Sequence, residues 1–229
     1  MVRYDTILFD LDGTLTDPKM GITKSIQYAL TSFGIDVPDP ALLEKCIGPP
    51  LQDSFPEFFG LSLADTDRAI KKYREYFSEI GLYENEVYPG IPDLLDALAN
   101  DGRELLLATS KPTLYSRKIL EHFSLRRYFS FIAGSTMSGS RLRKADIIRY
   151  GLGKRPPAKG SLVAMVGDRK HDIIGAKQAG VDSIGVLYGY GSLVELQASS
   201  PDHIVADVEG LKSLFLAGGD PPAAIARAD

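Results

Sequence analysis

Three aspartates crowd one stretch, Ile7-Leu8-Phe9-Asp10-Leu11-Asp12-Gly13-Thr14-Leu15-Thr16-Asp17, where an apolar run ends. Acids this close repel one another and are costly to take out of water. A second acid pair closes another apolar run at Val166-Gly167-Asp168, with Asp172 four residues on. Oxygen-only acids gathered from two strand ends make a hard-cation site, and Mg²⁺ is the usual occupant. Such a cation would offset the repulsion that makes the arrangement expensive. Two further segments have the opposite character. Leu107-Ala108-Thr109-Ser110-Lys111-Pro112 offers a hydroxyl and backbone N–H groups near a helix start, suited to phosphate oxygens. The polar segment from Ser135 ends in Arg141-Leu142-Arg143-Lys144, and a lysine there can reach the same place as a point charge. Carboxylates, a divalent cation, a hydroxyl and a lysine in one crevice suit phosphoryl transfer to an aspartate.

These groups meet only if the intervening chain brings them together. Short apolar runs at Tyr4–Leu11, Glu104–Thr109, Phe129–Ala133, Leu162–Val166 and Asp182–Leu187, with a weaker one at His203–Val205, read as strands. Helical patterns at Ile91–Asn100, Leu114–Phe123, Lys144–Leu152, His171–Ala179 and Val208–Leu216 separate them. The alternation predicts an α/β fold, a Rossmann-like parallel sheet flanked by helices. In such a sheet ligands bind beyond the carboxyl ends of the strands, at the point where strand order reverses. Asp10 then points into that crevice and Asp12 lies on the loop above it. Gly13 permits a tight backbone there, and Thr14 can bond carboxylate or main chain.

After the first strand the rhythm breaks. Gly21–Phe33, Ala41–Ile47, Leu51–Phe59 and Asp65–Ile80 all carry apolar residues at three-and-four spacing. Proline and glycine punctuate the chain at Asp17-Pro18 and Tyr88-Pro89-Gly90. The expected organisation is therefore a catalytic core over 1–17 and 88–216, an inserted helical domain over 18–87, and a C-terminal tail over 217–229.

Composition narrows the class. A hydrophobic share of 44% and a charged share of 24% are those of an ordinary soluble globular protein. A net charge of −4 gives no reason to expect a nucleic-acid polymer or an anionic membrane as partner. The single cysteine, Cys46, rules out an internal disulfide framework and reads as a small buried hydrophobe. No apolar run is long enough for a membrane span, and the N-terminal stretch carries an acid where a secretory signal would be apolar. A cytoplasmic protein is expected.

The residues Asp10–Thr14 (DLDGT), followed in order by Thr109, Lys144 and Gly167-Asp168-Arg169-Lys170-His171-Asp172, resemble the haloacid-dehalogenase-like hydrolases over nearly the whole chain, to about Leu216. The helical insert directly after DLDGT, and Ile47-Gly48-Pro49-Pro50-Leu51 within it, resemble the four-helix cap of the phosphoglycolate-phosphatase-like branch. The resemblance implies that Asp10 attacks phosphorus and becomes a phosphoaspartate. Asp12 would protonate the leaving group and then deprotonate the hydrolytic water. Thr109 would bind phosphoryl oxygens, with Ser110 adding a backbone N–H, and Lys144 would neutralise the nucleophile. Mg²⁺ would be held by Asp10, the main-chain carbonyl of Asp12 and Asp168, with Asp172 either touching the ion or standing just behind its ligands. Ala145 stands where the branch often has proline, which leaves Lys154 and Lys159 as alternatives to Lys144, and Ser110 is the alternative hydroxyl to Thr109.

Substrate binding is further assigned to Gly13, to Arg143 from the short basic run, and to Lys24 on the first cap helix, where the family often places substrate-reading groups. His171 reads as a surface or neighbouring residue, since Asp12 already fills the acid–base role. The expected activity is Mg²⁺-dependent hydrolysis of a small phosphorylated metabolite such as phosphoglycolate, a 5'-nucleotide or a sugar phosphate, by a monomer or homodimer. Two alternatives stand beside it. A phosphomutase of the β-phosphoglucomutase type shares Asp10 and Asp12 but has Glu-Asp where this chain has Gly167-Asp168. A non-catalytic phosphate-binding regulatory module would have lost one of the charged motif residues.

Overall fold

Five of the six residues in Tyr4–Phe9 are buried, the signature of a strand covered on both faces; this is β1. The computed structural model describes residues 3–36, 39–138 and 140–216, and the tail expected over 217–229 lies outside them. The chain divides into two units, Met1–Leu15 with Val87–Asp229, and Thr16–Glu86.

The Thr16–Glu86 unit begins with the two-residue strand β2 (Thr16–Asp17) and continues through four helices: α1 (Lys19–Thr31), α2 (Pro40–Glu44), α3 (Leu51–Phe59) and α4 (Leu63–Tyr76). A π-helical turn, Phe77–Gly81, extends α4, and β3 (Glu86–Val87) pairs with β2 as a separate two-stranded sheet. The apolar stripe of α1, with Ile22, Ile26, Ala29 and Leu30, is buried, as are Ala69, Ile70 and Tyr73 of α4. Sequence periodicity read one helix over Asp65–Ile80. The start is set instead by Ser62, whose hydroxyl accepts from Asp65 N at 3.1 Å, and the last turn widens into the π form.

The larger unit holds α5 (Ile91–Asn100), β4 (Glu104–Pro112), α6 (Thr113–His122), a 3-10 turn at Arg126–Tyr128, β5 (Phe131–Ser135), α7 (Lys144–Lys154), β6 (Leu162–Gly167), α8 (Lys170–Ala179), β7 (Asp182–Val186), α9 (Leu193–Ala198), β8 (His203–Val205) and α10 (Val208–Leu216). Six strands form one parallel sheet in the order β5-β4-β1-β6-β7-β8. The α/β architecture with a helical insertion after the first strand is thus present. One face of the sheet, with Leu8, Leu106, Ala133 and Met165, packs on Ile147 and Ile148 of α7 and Ala176 of α8. At about 25 cal/mol per Å² of buried apolar surface, this layer is a main source of the unit's stability.

The larger unit also departs from expectation. Phe129 begins no strand: it follows the 3-10 turn, is 2% exposed, and packs edge-to-face on Phe9, so its apolarity serves the core and the ladder begins at Phe131. The short helix α9 was not expected; its Ser-x-x-Glu start, with Ser192 Oγ accepting from Glu195 N at 3.1 Å, is the capping signal that could have revealed it.

Candidate active site

Strand order reverses on either side of β1, which has β4 as one neighbour and β6 as the other. That switch point lies where Asp10 leaves β1. Its N–H still donates to Val166 O at 2.9 Å, so the sheet ladder holds the backbone that carries its carboxylate. The chain then turns tightly, with Leu15 N donating to Leu11 O at 2.9 Å, and Asp12 sits on this turn. Gly13 has φ +82°, and a Cβ there would run into the Asp168 carboxylate, so only glycine allows both the turn and the approach.

On the next strand, Gly167 ends β6 and Asp168 follows, fully buried. Its Oδ1 accepts from Thr14 Oγ1 at 3.2 Å and its Oδ2 from Tyr190 N at 2.8 Å. Asp172, in the first turn of α8, accepts from Arg169 N at 3.0 Å and is 1% exposed. One carboxylate oxygen from each of Asp10, Asp168 and Asp172 lies within 4.8 Å of the others. Lys144, the first residue of α7, brings its Nζ to 2.9 Å from Asp10 Oδ1 and 2.7 Å from Asp172 Oδ1 and donates to Ala108 O at 3.1 Å. Even so, Asp10 Oδ1 and Asp172 Oδ1 are buried without a well-aligned hydrogen-bond donor. Three hard oxygen donors, two of them with such an atom, fit a divalent cation of the Mg²⁺ type.

The electrostatics follow from burial. Desolvation, with the charges of Asp172 and Asp10, raises Asp168 well above the usual carboxylate range. Desolvation pushes Asp172 up to about 6 against the pull of Lys144. Burial alone would lower Lys144, but Asp10 and Asp172 outweigh it and hold the ammonium charged. Asp12 is raised too: its burial outweighs the attraction of Lys111. A cation among these carboxylates would reverse the penalty on the charged forms.

The fold therefore gathers Asp10, Asp12, Asp168, Asp172 and Lys144 around one strand end. Thr109 is on β4, two residues beyond the level of Phe9, and is 2% exposed; its Oγ1 accepts from Lys111 N at 3.3 Å. Ser110 beside it is half-buried. Arg143 is exposed at the N-cap of α7. Lys24 belongs to the helical unit, where its Nζ pairs with Glu84 Oε1 at 2.5 Å. His171 is exposed. One buried residue of the site went unassigned from sequence: Lys111, whose Nζ lies 2.7 Å from Asp12 Oδ2.

The family model described as haloacid dehalogenase-like hydrolase matches residues 7–186, most of the chain and every acid of this site. The chain belongs to the haloacid dehalogenase-like hydrolases. Within that family it is 48% identical over 214 residues to a 5'-nucleotidase of Pseudomonas aeruginosa, covering 93% of this chain and 96% of that protein. It is 32% identical over 214 residues to a phosphoglycolate phosphatase of Agrobacterium fabrum, covering 89% of each. A crystal structure of a predicted phosphatase from Clostridium acetobutylicum superimposes with a TM-score of 0.90 at 45% identity, covering 94% of this chain and 99% of that one. This haloacid dehalogenase-like protein is an enzyme, a phosphatase acting on phosphoric monoesters. Its buried Asp10, Asp168 and Asp172 form the cluster typical of the family's metal site. Among the described residues no helix is long and apolar enough to cross a membrane.

Proposed function

We propose that the chain hydrolyses a small phosphomonoester in two steps through a phosphoaspartate on Asp10, with Mg²⁺ as its metal and a 5'-nucleotide as the first substrate to test. The observation that carries this reading is the meeting of Asp10, Asp168 and Asp172 within 4.8 Å beside a buried lysine, with a second carboxyl, Asp12, on the adjoining turn. Asp10, Asp168, Asp172 and the main-chain carbonyl of Asp12 would hold Mg²⁺, which supplies charge neutralisation at the phosphoryl oxygens when bound.

In the first step an Asp10 oxygen forms a bond to phosphorus as the bond to the leaving oxygen breaks. The Asp12 carboxyl gives its proton to that oxygen, and its raised pKa favours the protonated form this requires. In the second step a water attacks the phosphoaspartate, Asp12 takes the proton back, and phosphate departs with Asp10 regenerated. Thr109, with the backbone N–H of Ser110, is suited to the phosphoryl oxygens, and Lys144 offsets charge on the nucleophile. The helical unit of Thr16–Glu86 is assigned the role of cap, excluding water and reading the leaving group, with Lys24 as a candidate contact and Arg143 as another from the core. The 48% identity to a 5'-nucleotidase supports a nucleoside 5'-monophosphate ahead of phosphoglycolate or a sugar phosphate.

The test is phosphate release from 5'-nucleotides, phosphoglycolate and sugar phosphates, with Mg²⁺ and then with EDTA. Mg²⁺-dependent release with one clear favourite is the expected result. Release that persists undiminished in EDTA overturns the metal assignment, and no release from any ester overturns the activity.

A further inference from the structure

Lys111 is a buried cation to which the two steps above give no task. Its Nζ lies 2.9 Å from Asp12 Oδ1 and 2.7 Å from Asp12 Oδ2, and both side chains are at most a tenth exposed. An ammonium buried this way loses its hydration, and a buried ion pair rarely returns more than that loss, so stability alone is a poor reason for it. The backbone around it is unusual as well. Between Thr109 and Pro112 the register of β4 on β5 slips, with Thr109 level with Gly134 and Pro112 level with Ser135. Three steps on one strand thus match one step on the other. Irregularities of this kind re-aim a side chain out of the normal alternation. The slip is locked from both sides: Lys111 N donates to Thr109 Oγ1 at 3.3 Å, and Ser116 Oγ of α6 donates to Lys111 O at 3.5 Å. The neighbouring strand closes in so far that a Cβ on Gly134 would lie 2.6 Å from Lys111 O and 2.8 Å from Thr113 N. Glycine is required at that position for the slip to exist.

A head group that grips both oxygens of one carboxyl, on a backbone fixed at both of its peptide groups, restrains the direction of that carboxyl as well as its charge. We propose that Lys111 is a positioning residue, holding Asp12 in the one orientation from which its proton reaches the oxygen of the leaving group. The inference rests on the phosphoaspartate reading and adds to it the residue that aims its acid. The ammonium stands within 2.9 Å of both Asp12 oxygens and donates to Oδ1. Each carboxyl oxygen has two lone-pair directions, so one on each remains for the transferred proton. Loss of the aim should matter in proportion to how much the leaving group needs a proton. An alkoxide must be protonated as it leaves, whereas p-nitrophenolate leaves readily without one.

The experiment compares kcat/KM, which reports the first step, for two classes of ester. One is the best alkyl substrate among adenosine 5'-monophosphate, phosphoglycolate and glucose 6-phosphate, and the other is p-nitrophenyl phosphate. Lys111→Met is expected to lower the alkyl-to-aryl ratio on the order of 10- to 100-fold, the scale of misplacing a catalytic group by about 1 Å. Lys111→Arg should restore part of it, because it keeps the charge and changes the geometry. In an Asp12→Asn background, adding Lys111→Met should leave the ratio where Asp12→Asn alone puts it. Equal losses on both esters, or a change confined to KM, overturn the proposal, since Lys111 would then be a structural or ground-state contact. If Lys111→Met melts without a cooperative transition, Lys111→Gln replaces it and is read by the same ratio. Absence of Mg²⁺-dependent hydrolysis in the unmodified protein is a different failure: it removes the phosphoaspartate reading itself, and Lys111 with it.

Discussion

Lys144 brings its ammonium to within 2.9 Å of Asp10 Oδ1 from the first residue of α7, a helix that packs on the sheet face holding Leu8, Leu106 and Ala133. The same ammonium reaches Asp172 at 2.7 Å, so one cation serves the strand end and the helix start together. Lys144→Met should leave Asp10 and Asp172 buried without that charge. The expected cost is about 3 to 5 kcal/mol of stability, the usual result of removing one partner from a buried pair. Activity should fall at least ~100-fold. Calorimetry in EDTA reads the first number, and saturating Mg²⁺ should recover part of the lost Tm.

Asp10→Asn should abolish turnover and keep the fold. The amide lacks the carboxylate oxygen that would form the acyl phosphate, yet it has the same shape and removes one charge from a crowded site. Phosphate release below one-thousandth of the unmodified rate, with a Tm no lower, is the expected pair of observations. Substantial activity in this variant would exclude the phosphoaspartate mechanism.

Metal-free stability should depend on pH with a definite sign. Asp172, pushed up to about 6, binds its proton more tightly folded than unfolded, and Asp168 is shifted the same way. Between the unfolded value of about 3.9 and about 6 the folded state therefore holds more protons, and stability contributed here falls as pH rises. Mg²⁺ competes with those protons. The rise in Tm produced by Mg²⁺ should be larger at pH 7.5 than at pH 5.5, measured by thermal melts at both values with and without EDTA.

Cys46 is 2% exposed, and burial pushes its thiol up to about 12. At pH 8 it carries almost no thiolate and has no path to reagent. Ellman's reagent should give less than about 0.1 equivalent in minutes on the folded chain and close to one equivalent in guanidinium chloride. Rapid labelling of the folded protein would contradict the burial.

Arg103 ties three parts of the larger unit together. Its guanidinium donates to Tyr4 O on β1, to Phe215 O on α10 at 3.1 Å, and to Asp101 at 2.7 Å, while being 8% exposed itself. Arg103→Met would leave two carbonyls without this donor and should cost about 2 to 4 kcal/mol. Phosphatase activity at 25 °C should be retained, because the residue lies at the opposite end of β1 from Asp10. Urea melts with an activity assay on the same samples test both parts.

Much of the site was legible because its chemistry is local. Asp-Leu-Asp-Gly-Thr at the end of an apolar run, and Gly-Asp at the end of another, announce their place in a parallel sheet through the rule that ligands bind at strand ends. Lys111 was harder to see. Its partner, Asp12, is on another strand's loop, and its aim depends on a slipped register that no periodicity reveals. Phe129 misled for a related reason, since an apolar residue beside a strand reads the same whether it joins the ladder or fills the core beneath it.

The sequence by itself determined the alternation of strand and helix, the helical insertion after the first strand, and the kinds of groups available to the site. Hydrophobic period and turn chemistry act over a few residues and are written in the chain. The tertiary structure alone decided that Lys111 faces Asp12, and how closely the expected group of Asp10, Asp168, Asp172 and Lys144 comes together. Those are distances of a few ångströms between distant segments, and they arise from strand order, register and the packing of α7 and α8 on the sheet.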